Sequence, residues 1–323
     1  MYQYKSNYFD GITDLILHIN LFSLFMYLIY NYKNDYLLSS FMILLNSLMF
    51  VRTFIIFHDC CHNSYFPNKK INYYLGSFLG IFCFTPFCWS YDHLQHHLTS
   101  GNKENKLNFY FNETTMHTLK EYKNIKYKKL YKFLKHPIIF FGVMPFIKFV
   151  IFNRFFTLIY KYNNHPYKQS LKLILIDTIF NNIGLMIFFY LLNILNILNN
   201  VLISVAIGTS IGFMLFHNQH TFNPAYVVSN KEWNKKDSGL LGSSFIQIPF
   251  ILKYFTASIE YHHIHHMNAS IPSYKLKQYH QDNLNKFKNV MKLTLKDCYN
   301  NLWLNIYDED NNKYIQLNYN ENL

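Results

Sequence analysis

Two pairs of long apolar segments, each pair joined by only a few polar residues, restrict this chain more than any other feature. The first pair covers residues 15–30 and 36–57, separated by the short link 31–35. The second covers 171–192 and 197–216, turning near Asn193 and Asn196. At 1.5 Å per residue, a segment as long as 36–57 reaches about 33 Å, enough for the hydrocarbon core of a bilayer. Links this short force each pair into an antiparallel hairpin whose two ends return to one side. The expectation is an all-α integral membrane protein with about four spans.

Composition looks unremarkable until it is mapped along the chain. Half of the 323 residues are apolar and 20% are aromatic, yet the mean hydropathy is −0.03 because Lys and Asn fill the stretches between the apolar blocks. A net charge of +12 raises the question of nucleic acid. The lysines, however, are interleaved with hydrophobic spans and form no basic arm, so no nucleic-acid partner is expected. They follow the rule that excess Lys/Arg marks cytoplasmic loops. Of 30 Lys and Arg, all but Lys33 and Arg52 fall on the side that holds both termini and the long central loop, which is therefore expected to be cytosolic. Five cysteines form no CxxC pair or disulfide framework. No signal-peptide pattern opens the chain, so the first span is expected to remain in the mature protein.

Eleven of the sixteen histidines fall in four compact groups, each close to an apolar segment. These are His58 and His62; His93, His96 and His97; His217 and His220; and His262, His263, His265 and His266. On a helix, residues three or four apart share a face, so each group can aim several imidazoles one way. Neutral imidazole is a common metal ligand. Nine or ten such rings exceed the six that octahedral coordination takes, so two ions are expected, and so nitrogen-rich a set favours redox-active iron over structural zinc. Asp59, Asp92 and Glu260 stand beside the groups and are candidates to accept the second ring N–H of a ligand. His18, His117, His136, His165 and His280 lack such company and are expected to be ordinary packing or surface residues.

Two further apolar stretches, about 74–91 and 138–152, contain Pro86 and Pro145. A full crossing by only one of them would place the histidine groups on opposite faces. Both are therefore expected to be re-entrant or in-plane helices. Asp177, inside the third span, is unusual at membrane depth and is expected to face the protein interior. Residues 280–323 read as a polar cytosolic tail on a single domain spanning 1–323, with a short amphipathic helix near 284–304 and a frayed end.

With these groups in place, the chain resembles the membrane fatty acid desaturases, especially the acyl-lipid, delta-12/omega-6-like branch. HDCCHNSYF (58–66) is similar to the HxxxH box of that family. WSYDHLQHHLTSGN (89–102) and YHHIHHMNASIPSYKL (261–276) are similar to its two HxxHH boxes. HNQHTFNPAY and LLGSSFIQIPFILKYFTASIE (240–260) add to the likeness, which runs from about residue 50 to 276. The resemblance implies metal ligands at His58, His62, His93, His96, His97, His220, His262, His265 and His266. His217 and His263 stand as additional candidates, and Asn218 as a contact through water. It also implies two non-haem iron ions and the oxygen-dependent conversion of an acyl chain to a cis alkene. Electrons would come from a separate ferredoxin or cytochrome b5, since no flavin, haem or fused donor motif is present. Alternatives on the same scaffold are an acyl hydroxylase or an enzyme acting on sphingolipids or carotenoids. Outside it stand a transporter, a haem-binding membrane protein and a non-catalytic metal-binding relative.

Overall fold

The computed structural model describes residues 2–104, 117–152 and 171–318. The first hairpin is formed by α1 (Tyr8–Tyr32) and α2 (Tyr36–Cys61). Two helices bent against each other follow, α3 (Lys69–Phe82) and α4 (Ser90–Thr99). The second hairpin is α5 (Leu171–Ile194) and α6 (Leu198–His220). All four helices of the hairpins are long and apolar enough to cross a membrane. The polar link of the first hairpin also caps its second helix. Asp35 is extended and accepts from the backbone N–H of Leu37 and Leu38, satisfying donors that a helix start leaves open. Asn7 opens α1 and Asn68 opens α3 in the same way.

Helix α2 is the axis of the bundle. Over its most apolar stretch it is 56% buried, against 11% for α1, because α1, α3 and α6 all pack on it. Lipid is as apolar as leucine, so the α2–α6 seam depends on close approach and interhelical hydrogen bonds. Ser204 donates to the carbonyl of Ile43, and Asn200 donates to Ser39 Oγ at 2.8 Å. Each such bond contributes about 0.6 kcal/mol. Arg52, a basic residue in the middle of the second hairpin-forming helix α2, is buried. It pairs with Asp14 of α1, donates to the Tyr254 carbonyl and lies over the Tyr254 ring.

The two proline-containing stretches do not form straight spans. The helices Lys69–Phe82 and Phe87–Thr99 meet at 107°, and Lys128–Lys135 and Pro137–Phe152 meet at 58°. The first bend falls where Phe84 takes a positive φ of 58° and Pro86 removes a backbone donor. At the second, His136 is extended immediately before Pro137. Asp177 is buried in α5 and accepts from the backbone N–H of Cys88 at 2.9 Å. This span carboxylate therefore faces inward as expected and ties α5 to the turn that launches α4.

The C-terminal region departs from the expected helix over 284–304. It forms a 3-10 turn (Leu284–Phe287), a short helix (Leu295–Asn301) and three strands. With β1 (His117–Thr118), β2 (Phe245–Ile246), β3 (Lys292–Leu293), β4 (Leu304–Asp308) and β5 (Lys313–Gln316), the pairing is β1–β4 parallel, β4–β5 antiparallel and β2–β3 parallel. The helix starts only at Leu295 because Thr294 and Asp297 make a reciprocal capping box there. Up to Asn318 the region is thus pinned to distant segments. Residues 319–323, where a frayed end was expected, lie outside the described residues, as does His165.

Candidate metal centre

Four segments of the chain deliver the histidines. His58 and His62 lie at the C-terminal end of α2, where its apolar run stops. His93, His96 and His97 ride on α4. The rest come from the end of α6 and from α7 (His262–Met267). Ahead of α7, Ala257 and Ser258 both take the left-handed conformation, φ 44° and 63°, which redirects the chain toward α4. All nine imidazoles that the resemblance implies as ligands meet in two adjoining groups. His58, His62, His93, His97 and His265 form one; His96, His220, His262 and His266 form the other. Within each group the ring nitrogens lie within 4.8 Å of one another.

Helical phase explains the division. The pairs four apart (His58 and His62, His93 and His97, His262 and His266) each serve a single group. The residue three along (His96 on α4) or one short (His265 on α7) turns to the other group. Both short helices therefore contribute to both groups, and the rings of His97 and His266 stack across the boundary at 4.2 Å.

The nitrogen geometry suits a cation. Nε2 atoms face each other between His58 and His93 (2.7 Å), His93 and His97 (3.1 Å), and His97 and His265 (3.0 Å). In the second group His96 faces His266 at 3.1 Å and His220 faces His262 at 2.9 Å. A neutral imidazole has one N–H, so the Nε2 of His93 or His97, close to two others, cannot serve both as a proton donor. A metal ion serves all of them. Bonds of about 2.1 Å at right angles put neighbouring nitrogens about 3.0 Å apart, matching these contacts. Among the described residues, the Nε2 of His62 is buried with no hydrogen-bond partner and is available for the same use. Burial, then the adjacent His220, holds His262 and His266 well below the ordinary histidine range. Burial, then His58, does so for His265. Neutral rings keep the lone pair that a metal needs.

The remaining candidates take other partners. His217 donates from Nε2 to the carbonyl of Asn301 at 2.9 Å, so the pair three apart in HNQH splits. His263 Nε2 lies 3.2 Å from His280 Nδ1, and burial followed by His280 pushes its pKa down to about 3. Asn218 donates to the Met214 carbonyl. Asp59 stands beside the first box: Oδ1 is 3.5 Å from His58 Nδ1, and Oδ2 accepts from the backbone N–H of Ser273 at 2.6 Å. Ser273 opens the helix α8 (Ser273–Asp282), so this carboxylate joins the end of α2 to the start of α8. Asp92 is exposed in the first turn of α4, and Glu260 accepts from Thr256 Oγ1 at 2.8 Å. Among the other histidines, His18 bonds Thr53 and His117 bonds Tyr131.

Several positioning features were not legible as site residues. Trp89 stacks on the His93 ring at 4.6 Å and 15°. Gly242 offers its carbonyl to His220 Nδ1 at 3.1 Å. Phe216 packs on His96 and His220 at 5.1 and 5.4 Å. An apolar cavity between α2, α6 and Phe149 reaches His58 and His93 of the first group and His262 of the second.

Comparison with known proteins agrees with this geometry. The fatty acid desaturase family model matches residues 36–292. A fatty acid desaturase of Bacillus subtilis (strain 168) is 31% identical over 291 residues, covering 87% of this chain and 78% of the bacterial protein. The matched region takes in all four histidine groups and the helices that carry them, and on that extent this chain belongs to the fatty acid desaturase family.

Proposed function

We propose that this oxidoreductase is an oxygen-dependent acyl-lipid desaturase that places a cis double bond in an acyl chain, with two non-haem irons held by the nine clustered imidazoles. The observation that carries the reading is an apolar cavity that touches both histidine groups. A methylene chain lying in it would pass beside both. Phe50, Phe54, Trp89, Phe149 and Phe216 line it, so the walls favour hydrocarbon and exclude water. Trp89 and Phe216 also fix ring orientation, since each packs on both the cavity and the histidines. Asp59 holds the first box against α8. When bound, the irons supply the activation of dioxygen needed to remove two hydrogens from adjacent methylenes, using electrons from a separate ferredoxin or cytochrome b5.

A multi-pass topology with the histidines and both termini on the cytosolic side is supported by the lysine distribution. Contact between Tyr4 and Asp282, 2.8 Å apart, also supports a shared side for the chain start and the histidine cap. The test is fatty-acid profiling of a desaturase-deficient host that supplies a compatible electron donor. Wild type should yield a new unsaturated acid that is lost in His97→Ala and His265→Ala. A hydroxylated acid in its place would transfer the assignment to the hydroxylase chemistry of the same scaffold.

A further inference from the structure

Helix α6 carries two glycines one turn apart, Gly208 and Gly212, both on the cavity wall. They differ in what surrounds them. A Cβ on Gly208 would lie 2.7 Å from the Ser47 carbonyl oxygen and 3.1 Å from Phe50 Cβ. That glycine is required for α2 and α6 to approach. Among the described residues, a Cβ on Gly212 would meet no atom within 4 Å. Packing therefore does not require a glycine at 212, and glycine is a poor residue for a helix interior. The space it leaves belongs to the cavity.

Position along the helix gives that space a meaning. Phe216, one turn beyond, packs on the rings of His96, His220 and His262. Gly212 is about 6 Å back along the axis from Phe216, and Val205, which also lines the cavity, is about 16 Å back. The wall of α6 thus runs from the histidines into the membrane-spanning part of the bundle. A polar acyl carrier stays at the wet end, and the methyl end of the chain goes down the apolar one.

We infer that Gly212 is a specificity-determining residue: its missing side chain is the passage through which the methyl end of the acyl chain extends past the histidine groups. The inference rests on the desaturase reading above. A larger side chain at 212 starts into open space among the described residues and extends into the passage, so it shortens the chain that fits.

The test compares wild type with Gly212→Val, Gly212→Phe and Ile203→Phe, all as full chains. Ile203 lies on the exposed outer face of the same helix, so its variant controls for added bulk. Two readouts are taken with myristate, palmitate and stearate. One is the unsaturated product in the desaturase-deficient host. The other is competition of each acid against a fluorescent fatty acid on the purified protein, which needs no turnover. Gly212→Phe should lower stearate conversion and binding relative to myristate by at least about tenfold, and Gly212→Val should move both the same way by less. Ile203→Phe should keep the wild-type length profile. If Gly212→Phe fails to accumulate, Gly212→Val decides by the same criterion. An unchanged length profile in an accumulating Gly212 variant overturns the inference, as does an equal shift in Ile203→Phe. Wild type that binds the acids but makes no unsaturated product counts against the desaturase reading, and the binding series then judges Gly212 alone.

Discussion

The two histidine groups draw on the same pair of short helices but are completed differently. The first is finished by His58 and His62, a ready-made pair at the end of a span, and reaches five rings, with His62 partly exposed. The second is finished by His220 alone and has four rings, with His220 anchored to the Gly242 carbonyl. A site with a ring in reserve tolerates loss better than one without. The contrast teaches that metal retention in this fold should be limited by the second group.

Removing a ring from the smaller group should therefore have the largest effect. His266→Ala leaves three imidazoles there, and iron content is expected to fall by about one ion per chain, with desaturation reduced more than about 100-fold. In the larger group, His62→Ala leaves four rings and should cost less, about tenfold in activity, with most iron retained. Metal analysis of the two purified variants side by side checks this order, and equal losses would erase the proposed difference between the groups.

A smaller effect is expected outside the ligand sets, where the support of α4 can be separated from ligation. Asp177→Ala leaves the buried Cys88 N–H without its acceptor, a loss of about 1–3 kcal/mol. Asp177→Asn retains an oxygen and should recover most of it. Thermal unfolding in detergent measures both. Because α4 serves both groups, iron loss in Asp177→Ala should be shared between them. The smallest effect is expected for His217→Ala, which removes one hydrogen bond to the Asn301 carbonyl, about 1 kcal/mol, and should leave the iron content at the wild-type level.

Much of this arrangement was legible because it is local. Span length and short links are properties of consecutive residues, and so are pairs of histidines four apart. Asp177 stood out by its place in an apolar run. The division of the rings between two groups was less accessible. Residues three and four apart lie on one broad face, and only packing against a second helix decides which way His96 or His265 turns. The C-terminal sheet was hidden for a related reason. Thr118 pairs with Tyr307, 189 residues further along the chain, and no local pattern announces a two-residue strand. The cavity is likewise a product of the α2–α6 crossing, where Gly208 and Gly212 look alike in sequence and differ only in their surroundings.

The histidine geometry offers two adjoining metal sites of unequal composition. Iron quantification with Mössbauer spectroscopy on the iron-57-loaded, purified full chain tests this arrangement most directly. Two irons per chain in two distinguishable non-haem environments are predicted, the one with fewer imidazoles depleted first in His266→Ala. One iron per chain, a single environment or a haem spectrum would contradict it.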